Sequence, residues 1–284
     1  MTRYALRMTR YALLLCWLTV PLVASAAVSG YTQARLASDP VTPALELVRE
    51  QKQDTAPLVF ASTKLYRRLY AATQPLGEVL LLPGDKHVPE NVRVRWLNEL
   101  TARGPFWLLG DEGDPDTREE NLQTEQWVID RACPIVSASV GAGRALYLAA
   151  PPGGETQKIE ATFNDELTLT GYRLSSATLK PGDALCVELV WNAPQTLASD
   201  YTVYIHVVDP TGQVVAQNDM PPRAGFAPTS QWKVGVPLID RHGMILPASL
   251  PGGDYGIRVG LYRSDNQLPV PPNALDLTKI TVTP

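Results

Sequence analysis

From Pro57 onward the chain alternates short apolar runs with segments of helical period. Leu58 to Ala61 precedes a helix reaching about Ala72, Val79 to Leu82 precedes Pro89 to Ala102, and Phe106 to Leu109 precedes Asp116 to Arg131. This rhythm predicts a small parallel sheet with helical crossovers. Within 89–102, Val92, Trp96, Leu97 and Leu100 share one side, and Asp116 with Glu119 has the D-x-x-E spacing of a helix capping box. Ile135 to Val140 and Arg144 to Ala149 read as two closing strands around Gly141-Ala142-Gly143.

After Pro151-Pro152-Gly153-Gly154 the period changes to two. Leu185, Val187, Leu189 and Trp191 alternate with Cys186, Glu188 and Val190, and similar alternation runs through Tyr201 to Val207 and Tyr255 to Tyr262. Turn-forming stretches such as Lys180-Pro181-Gly182-Asp183 and Pro251-Gly252-Gly253-Asp254 separate these runs, so an antiparallel β-sandwich is expected. The predicted fold class is α/β plus all-β. The expected organisation is a leader at 1–30, a small α/β domain at 31–150, a linker at 151–156 and a β-sandwich at 157–284.

The leader has a composition of its own: Arg3, Arg7 and Arg10, no acidic residue, then an apolar run from Tyr11 to Ser29. Two readings stay open. A signal peptide would be cleaved near Ala26, after the small residues Ala24-Ser25-Ala26, whereas a retained helix would anchor the protein in the membrane with its arginines in the cytoplasm. Both place the remainder outside the cytoplasm. Without the three leader arginines that remainder holds 22 basic and 29 acidic residues, a net charge of −7. This acidity argues against a nucleic-acid partner. Cys133 and Cys186 would share an oxidising compartment and could pair, but they fall in different predicted domains, so two buried free thiols are expected.

Candidate chemistry is sparse. His87 falls in a polar loop, His206 in mid-strand, and His242 in what reads as a turn, Asp240-Arg241-His242-Gly243; none has a metal-ligand spacing or a recognisable orienting partner. No catalytic residue, metal or cofactor is assigned. Asp111 and Asp114 lie in an acidic loop after a parallel strand, where open α/β sheets place ligands, and are candidate binding residues on that ground. In the sandwich, Trp191 and Tyr255 fall on the apolar side of their strands and are assigned to packing. Asp219, Arg223, Phe226 and Trp232 lie in or beside the long connection from Pro221 to Trp232 and are candidates for contacts to a glycan. An aromatic that pins this proline-rich loop to the sheet is the competing reading.

The run from Gln217 to Trp232, followed by Gly235, Asp240, Leu246-Pro247, Pro251-Gly252-Gly253-Asp254-Tyr255 and Val259-Gly260-Leu261-Tyr262, resembles the extracytoplasmic C-terminal region of bacterial membrane glycosyltransferases of the family 39, protein mannosyltransferase-like type. The likeness reaches less specifically to Gly171-Tyr172, Pro181-Gly182-Asp183 and Tyr201 to His206. It implies sugar transfer from a polyprenyl phosphate as the parent activity. The many membrane helices and early catalytic loop of that family have no counterpart here, so no catalytic residue carries over. The implied role is a non-catalytic accessory or glycan-binding module of cell-envelope glycosylation, with an envelope glycan or a membrane glycosyltransferase as partner. The alternative is an extracytoplasmic hydrolase or transferase at the carboxyl edge of the α/β sheet, using Asp111, Asp114 or His87.

Overall fold

A computed structural model describes residues 34–51, 55–73, 76–83 and 88–284. The leader and His87 lie outside them. Among the described residues no helix is long and apolar enough to cross a membrane.

The first sheet contains β1 (Leu58–Phe60), β2 (Val79–Leu81), β3 (Phe106–Asp111), β4 (Cys133–Val140) and β5 (Gly143–Ala149), in the order β2-β1-β3-β5-β4. β1 pairs in parallel with β2 and β3, while β5 runs antiparallel to β3 and β4, so the α/β crossovers end in a hairpin. Helix α1 (Thr42–Gln51) was not read from the sequence; with α2 (Thr63–Thr73) it covers one face through Leu45, Val48, Leu65 and Leu69. Helices α3 (Glu90–Ala102) and α4 (Arg118–Ile129) cover the other through Leu97, Leu100, Val128 and Ile129. The hydrophobic effect fixes this layering, each fully buried large apolar side chain contributing about 1.5–3 kcal/mol.

One local expectation is corrected. The capping box at 116–119 does not form, because α4 starts at Arg118 and Thr117 makes no side-chain cap. Asp114, held by Lys64 at 2.5 Å, instead organises the turn, its backbone carbonyl accepting from the N–H groups of Thr117 and Arg118. On α3, Arg93 is buried in the apolar stripe, with its guanidinium over the Trp127 ring at 4.1 Å.

The sandwich comprises one sheet of β8 (Thr178–Leu179), β10 (Tyr201–Val208), β11 (Val214–Met220), β13 (Gly253–Arg263) and β14 (Leu275–Val282), in the order β11-β10-β13-β14-β8. Facing it is a sheet of β6 (Gln157–Phe163), β7 (Leu167–Leu174), β9 (Ala184–Asn192) and β12 (Leu238–Ile245), in the order β12-β9-β7-β6. All pairings are antiparallel except β14 with the two-residue β8. Val187, Leu189, Trp191, Val203, Ile205 and Val259 fill the space between the sheets, and Phe163 meets Trp191 edge-on at 5.6 Å. Trp191 and Tyr255 are core residues.

β9 is buried on both faces. Its inward residues enter the sandwich core, while Cys186 and Glu188 point the other way and are also buried, beneath the first domain. Cys186 is disulfide-bonded to Cys133 of β4, with Cα atoms 6.2 Å apart, which overturns the expectation of two free thiols. Separation into two domains does not prevent pairing, because β4 packs on β12, the strand beside β9. Glu188 accepts from Arg173 Nε at 2.7 Å and Arg241 Nε at 2.8 Å, and Arg241 Nη1 reaches the Asp130 carbonyl at 2.8 Å. Two cations compensate the desolvation of this one carboxylate.

Candidate functional site

The 221–232 connection between β11 and β12 lies across the junction of the two domains. Arg223 and Ala224 occupy left-handed backbone conformations, φ 52° and 55°, followed by Gly225 at 91°. Left-handed geometry costs about 1–2 kcal/mol per non-glycine residue, so neighbouring contacts must hold it. Asp240 Oδ1 accepts the Arg223 N–H at 2.7 Å. Arg144 of β5 donates to the Ala224 carbonyl and, at 2.9 Å, to the Ser137 hydroxyl. Its guanidinium also lies over the Phe226 ring at 4.4 Å.

His242 is not in a turn. It lies within β12, fully buried, and is flanked by Asn218 Oδ1 at 3.0 Å and Asp240 Oδ2 at 2.7 Å. The polar run Asp240-Arg241-His242-Gly243 misleads because its polar side chains find partners on neighbouring sandwich segments, Asp240 with Arg223, Arg241 with Glu188 and His242 with Asn218, and one across the junction, Arg241 with the Asp130 carbonyl, which makes a buried strand of them. Asn218 Nδ2 donates to the Ile135 carbonyl of β4 at 3.0 Å, so this network joins the domains. Within it Asp240 and His242 are fully buried.

Below the connection a cleft of about 710 Å³ opens between the domains. Gln126 and Asp130 line it from the α/β side, and Arg223, Phe226, Trp232 and Ile239 from the sandwich. Three of the four sandwich candidates therefore converge on one cavity. Arg223 is ion-paired with Asp130 across it. Trp232 is buried and donates its indole N–H to the Ala227 carbonyl at 2.9 Å, so it also pins the loop. Ile239 is exposed within the cleft, as is Val236. Asp219 stands apart, on the outer face of β11, with Oδ1 at 3.8 Å from His206 Nε2.

Asp111 and Asp114 do not line the cleft. Asp111 ends β3, is buried, and binds Arg68 Nη2 at 2.7 Å while its Oδ1 accepts the N–H groups of Gly113 and Asp114. Arg68 also pairs with Asp39. Lys64, hydrogen-bonded to Asp114, holds that carboxyl below its ordinary range. Both carboxylates at the sheet mouth are thus committed to cations of α2 and to the loop backbone. Among the described residues no group of three or more His, Cys, Asp or Glu is placed to hold a metal ion.

A carboxyl group that the sequence reading passed over lies nearby. Glu125 of α4 is fully buried, neither oxygen has a hydrogen-bond partner, and the nearest cation, Arg144 Nε, is 3.9 Å away. Burial pushes its pKa up to about 8, against the weaker opposing influence of Arg144. Its sequence signal was the repeat Asn121, Thr124, Glu125, Val128, a helical face that is buried although three of its members are polar.

No family model and no curated protein matches the chain, so the glycosyltransferase resemblance gains nothing there. Among solved structures, the C-terminal domain of Wzt is similar at 13% identity and a TM-score of 0.29, over 47% of this chain and 82% of that one. A β-glucosidase, EmGH1 from Erythrobacter marinus, is similar at 12% identity and a TM-score of 0.28, over 45% and 16% of the two chains. A Niemann-Pick type C2 protein from Japanese carpenter ant is similar at 10% identity and a TM-score of 0.26, over 46% and 93%. Likeness at this level carries no argument about function, which rests on the chain's own residues.

Proposed function

We propose that the protein is a non-catalytic glycan-binding module of cell-envelope glycosylation, exported and either anchored by its N-terminal segment or released by cleavage near Ala26. The observation that carries this reading is the convergence of Arg223, Phe226 and Trp232 on the open inter-domain cleft. Apolar surface beside amide and charged groups suits a ligand with C–H faces and hydroxyl edges. The disulfide, the Glu188 ion pairs and the Asn218–His242–Asp240 network support a preorganised cleft, which reduces the entropic cost of binding. The commitment of Asp111 and Asp114 to cations speaks against the hydrolase or transferase alternative. In the cell the partner would be an envelope glycan, presented alone or by a membrane glycosyltransferase.

A glycan array probed with the full chain, followed by calorimetry on the glycans retained, tests the reading. Phe226→Ala should weaken cleft binding about tenfold. Retention of no glycan, or affinities unchanged by Phe226→Ala, would count against the cleft.

A further inference from the structure

The charged side chains lining the inter-domain cleft are Asp130, at the end of α4, and Arg223, Lys233 and Arg241 from the sandwich. Three cations beside one carboxylate reverse the balance of the chain outside the leader, which carries a net −7. The partners of each group decide which of these charges is open to a ligand.

Asp130 is engaged twice. Its carboxylate meets Arg223 Nη2, and its carbonyl accepts from Arg241 Nη1 at 2.8 Å. Arg241 turns its Nε to Glu188 at 2.8 Å, a buried carboxylate that it shares with Arg173. Behind the connection, the Asp240 carboxylate lies against the Arg223 N–H and the His242 ring. Asp200, which accepts the Ser230 N–H at 2.9 Å, does not line the cleft. In and behind the cleft, Asp130, Glu188 and Asp240 thus stand against Arg173, Arg223, Arg241 and Lys233, and one positive charge is left over without counting His242. Lys233 is exposed, and among the described residues no carboxylate lies within ion-pairing distance of its ammonium. The unmatched charge therefore resides on Lys233.

Phe226, Val236 and Ile239 give the same cleft apolar surface, and Arg223 uses one terminal nitrogen on Asp130 while its side chain stays partly exposed. An unpaired ammonium in a cleft with low-dielectric walls favours an anion there, because the walls focus its field and a charge-assisted hydrogen bond is roughly twice as strong as a neutral one. The apolar walls contribute little to a bare inorganic anion. They suit a sugar ring that carries the anionic group. The net charge of the rest of the chain repels anions, so the attraction is local to this cleft.

Resting on the glycan reading of the cleft, we propose that its ligand is an acidic glycan, a sugar chain bearing a carboxylate or a phosphate ester, and that Lys233 with the open edge of Arg223 selects for that group. Lys233 is then the specificity-determining residue, and Phe226 acts on charged and uncharged sugars alike.

Calorimetric titration of the full chain at low salt tests this with matched pairs: hexagalacturonate against its methyl ester, and a 6-phosphorylated mannopentaose against mannopentaose. At least one acidic member should bind at least about tenfold more tightly than its neutral counterpart, and the pair that shows this identifies the anionic group. Lys233→Gln should remove most of that advantage and leave the neutral affinity unchanged. Lys233→Arg, which keeps the charge, should retain it, and added salt should reduce it. Phe226→Ala should weaken both members of the pair. Equal affinities within both pairs, or an acidic advantage that Lys233→Gln leaves intact, would overturn the proposal. If such equal affinities still fall with Phe226→Ala, the cleft keeps its glycan and loses only the selection by charge. Binding of none of these sugars would overturn both readings.

Discussion

The carboxyl group of Glu125 lies directly against Gly110 of β3, in a space that exists only because residue 110 has no side chain. The carboxyl is fully buried and unbonded, and its pKa stands near 8. Below about pH 4.5 it is neutral in both folded and unfolded chains. Between there and pH 8 the unfolded chain ionises while the folded one stays protonated, so this group's effect is to reduce stability as pH rises, with no further change above 8. Glu125→Gln should therefore stabilise the protein at pH 7 by about 3 kcal/mol, at 1.36 kcal/mol per pH unit, and by little at pH 4. Denaturant unfolding across this range checks it; parallel pH profiles for the two proteins would contradict it.

Gly110→Ala places a methyl group on the Glu125 carboxyl and should destabilise by about 1–3 kcal/mol through overpacking. Combining it with Glu125→Ala should recover part of that loss, giving a coupling energy above about 0.5 kcal/mol in a double-mutant cycle. Strict additivity would show that the two positions do not share the space.

The Cys133–Cys186 bond closes a loop spanning 53 positions. Its removal by the double serine variant should cost about 2–4 kcal/mol, because the unfolded chain regains loop entropy and the junction between domains loses a covalent tie. Unfolding curves with and without reductant should differ for the wild type and coincide for the variant.

Arg144 holds the left-handed turn at 223–225 through the Ala224 carbonyl and the Phe226 ring. Arg144→Ala should free the connection, and limited trypsin digestion should then cut after Arg223 at least about tenfold faster, as expected for lowering the cost of local opening. Arg144→Lys should rescue only part, since an ammonium lacks the planar fork that bonds and stacks together. Equal digestion rates would place the restraint elsewhere.

Asn218→Ala removes the acceptor for His242 and the donor to the Ile135 carbonyl at once. The buried groups left unpaired should cost about 1–3 kcal/mol, measured by thermal unfolding.

The sequence by itself determined the class of fold: the strand–helix rhythm after Pro57 and the period-two runs at 185–191, 201–207 and 255–262 are local consequences of which side chains must leave water, and the sheets form there. It also drew attention to the connection 221–232, whose Arg223, Phe226 and Trp232 meet in one cleft, and it left open whether the aromatics there bind a ligand or pin the loop; Trp232 and Phe226 do anchor it. Only the tertiary structure decided which polar groups are buried and with whom. Cys133 finds Cys186, Glu188 gathers Arg173 and Arg241, and His242 sits between Asn218 and Asp240, through contacts between residues far apart in the chain that no local period encodes. Glu125 over Gly110 and Tyr204 over Gly260 belong to the same kind. In each, a side chain occupies the space left by a glycine on a neighbouring strand, a match that exists only after the helix has packed on its sheet or the strands are in register.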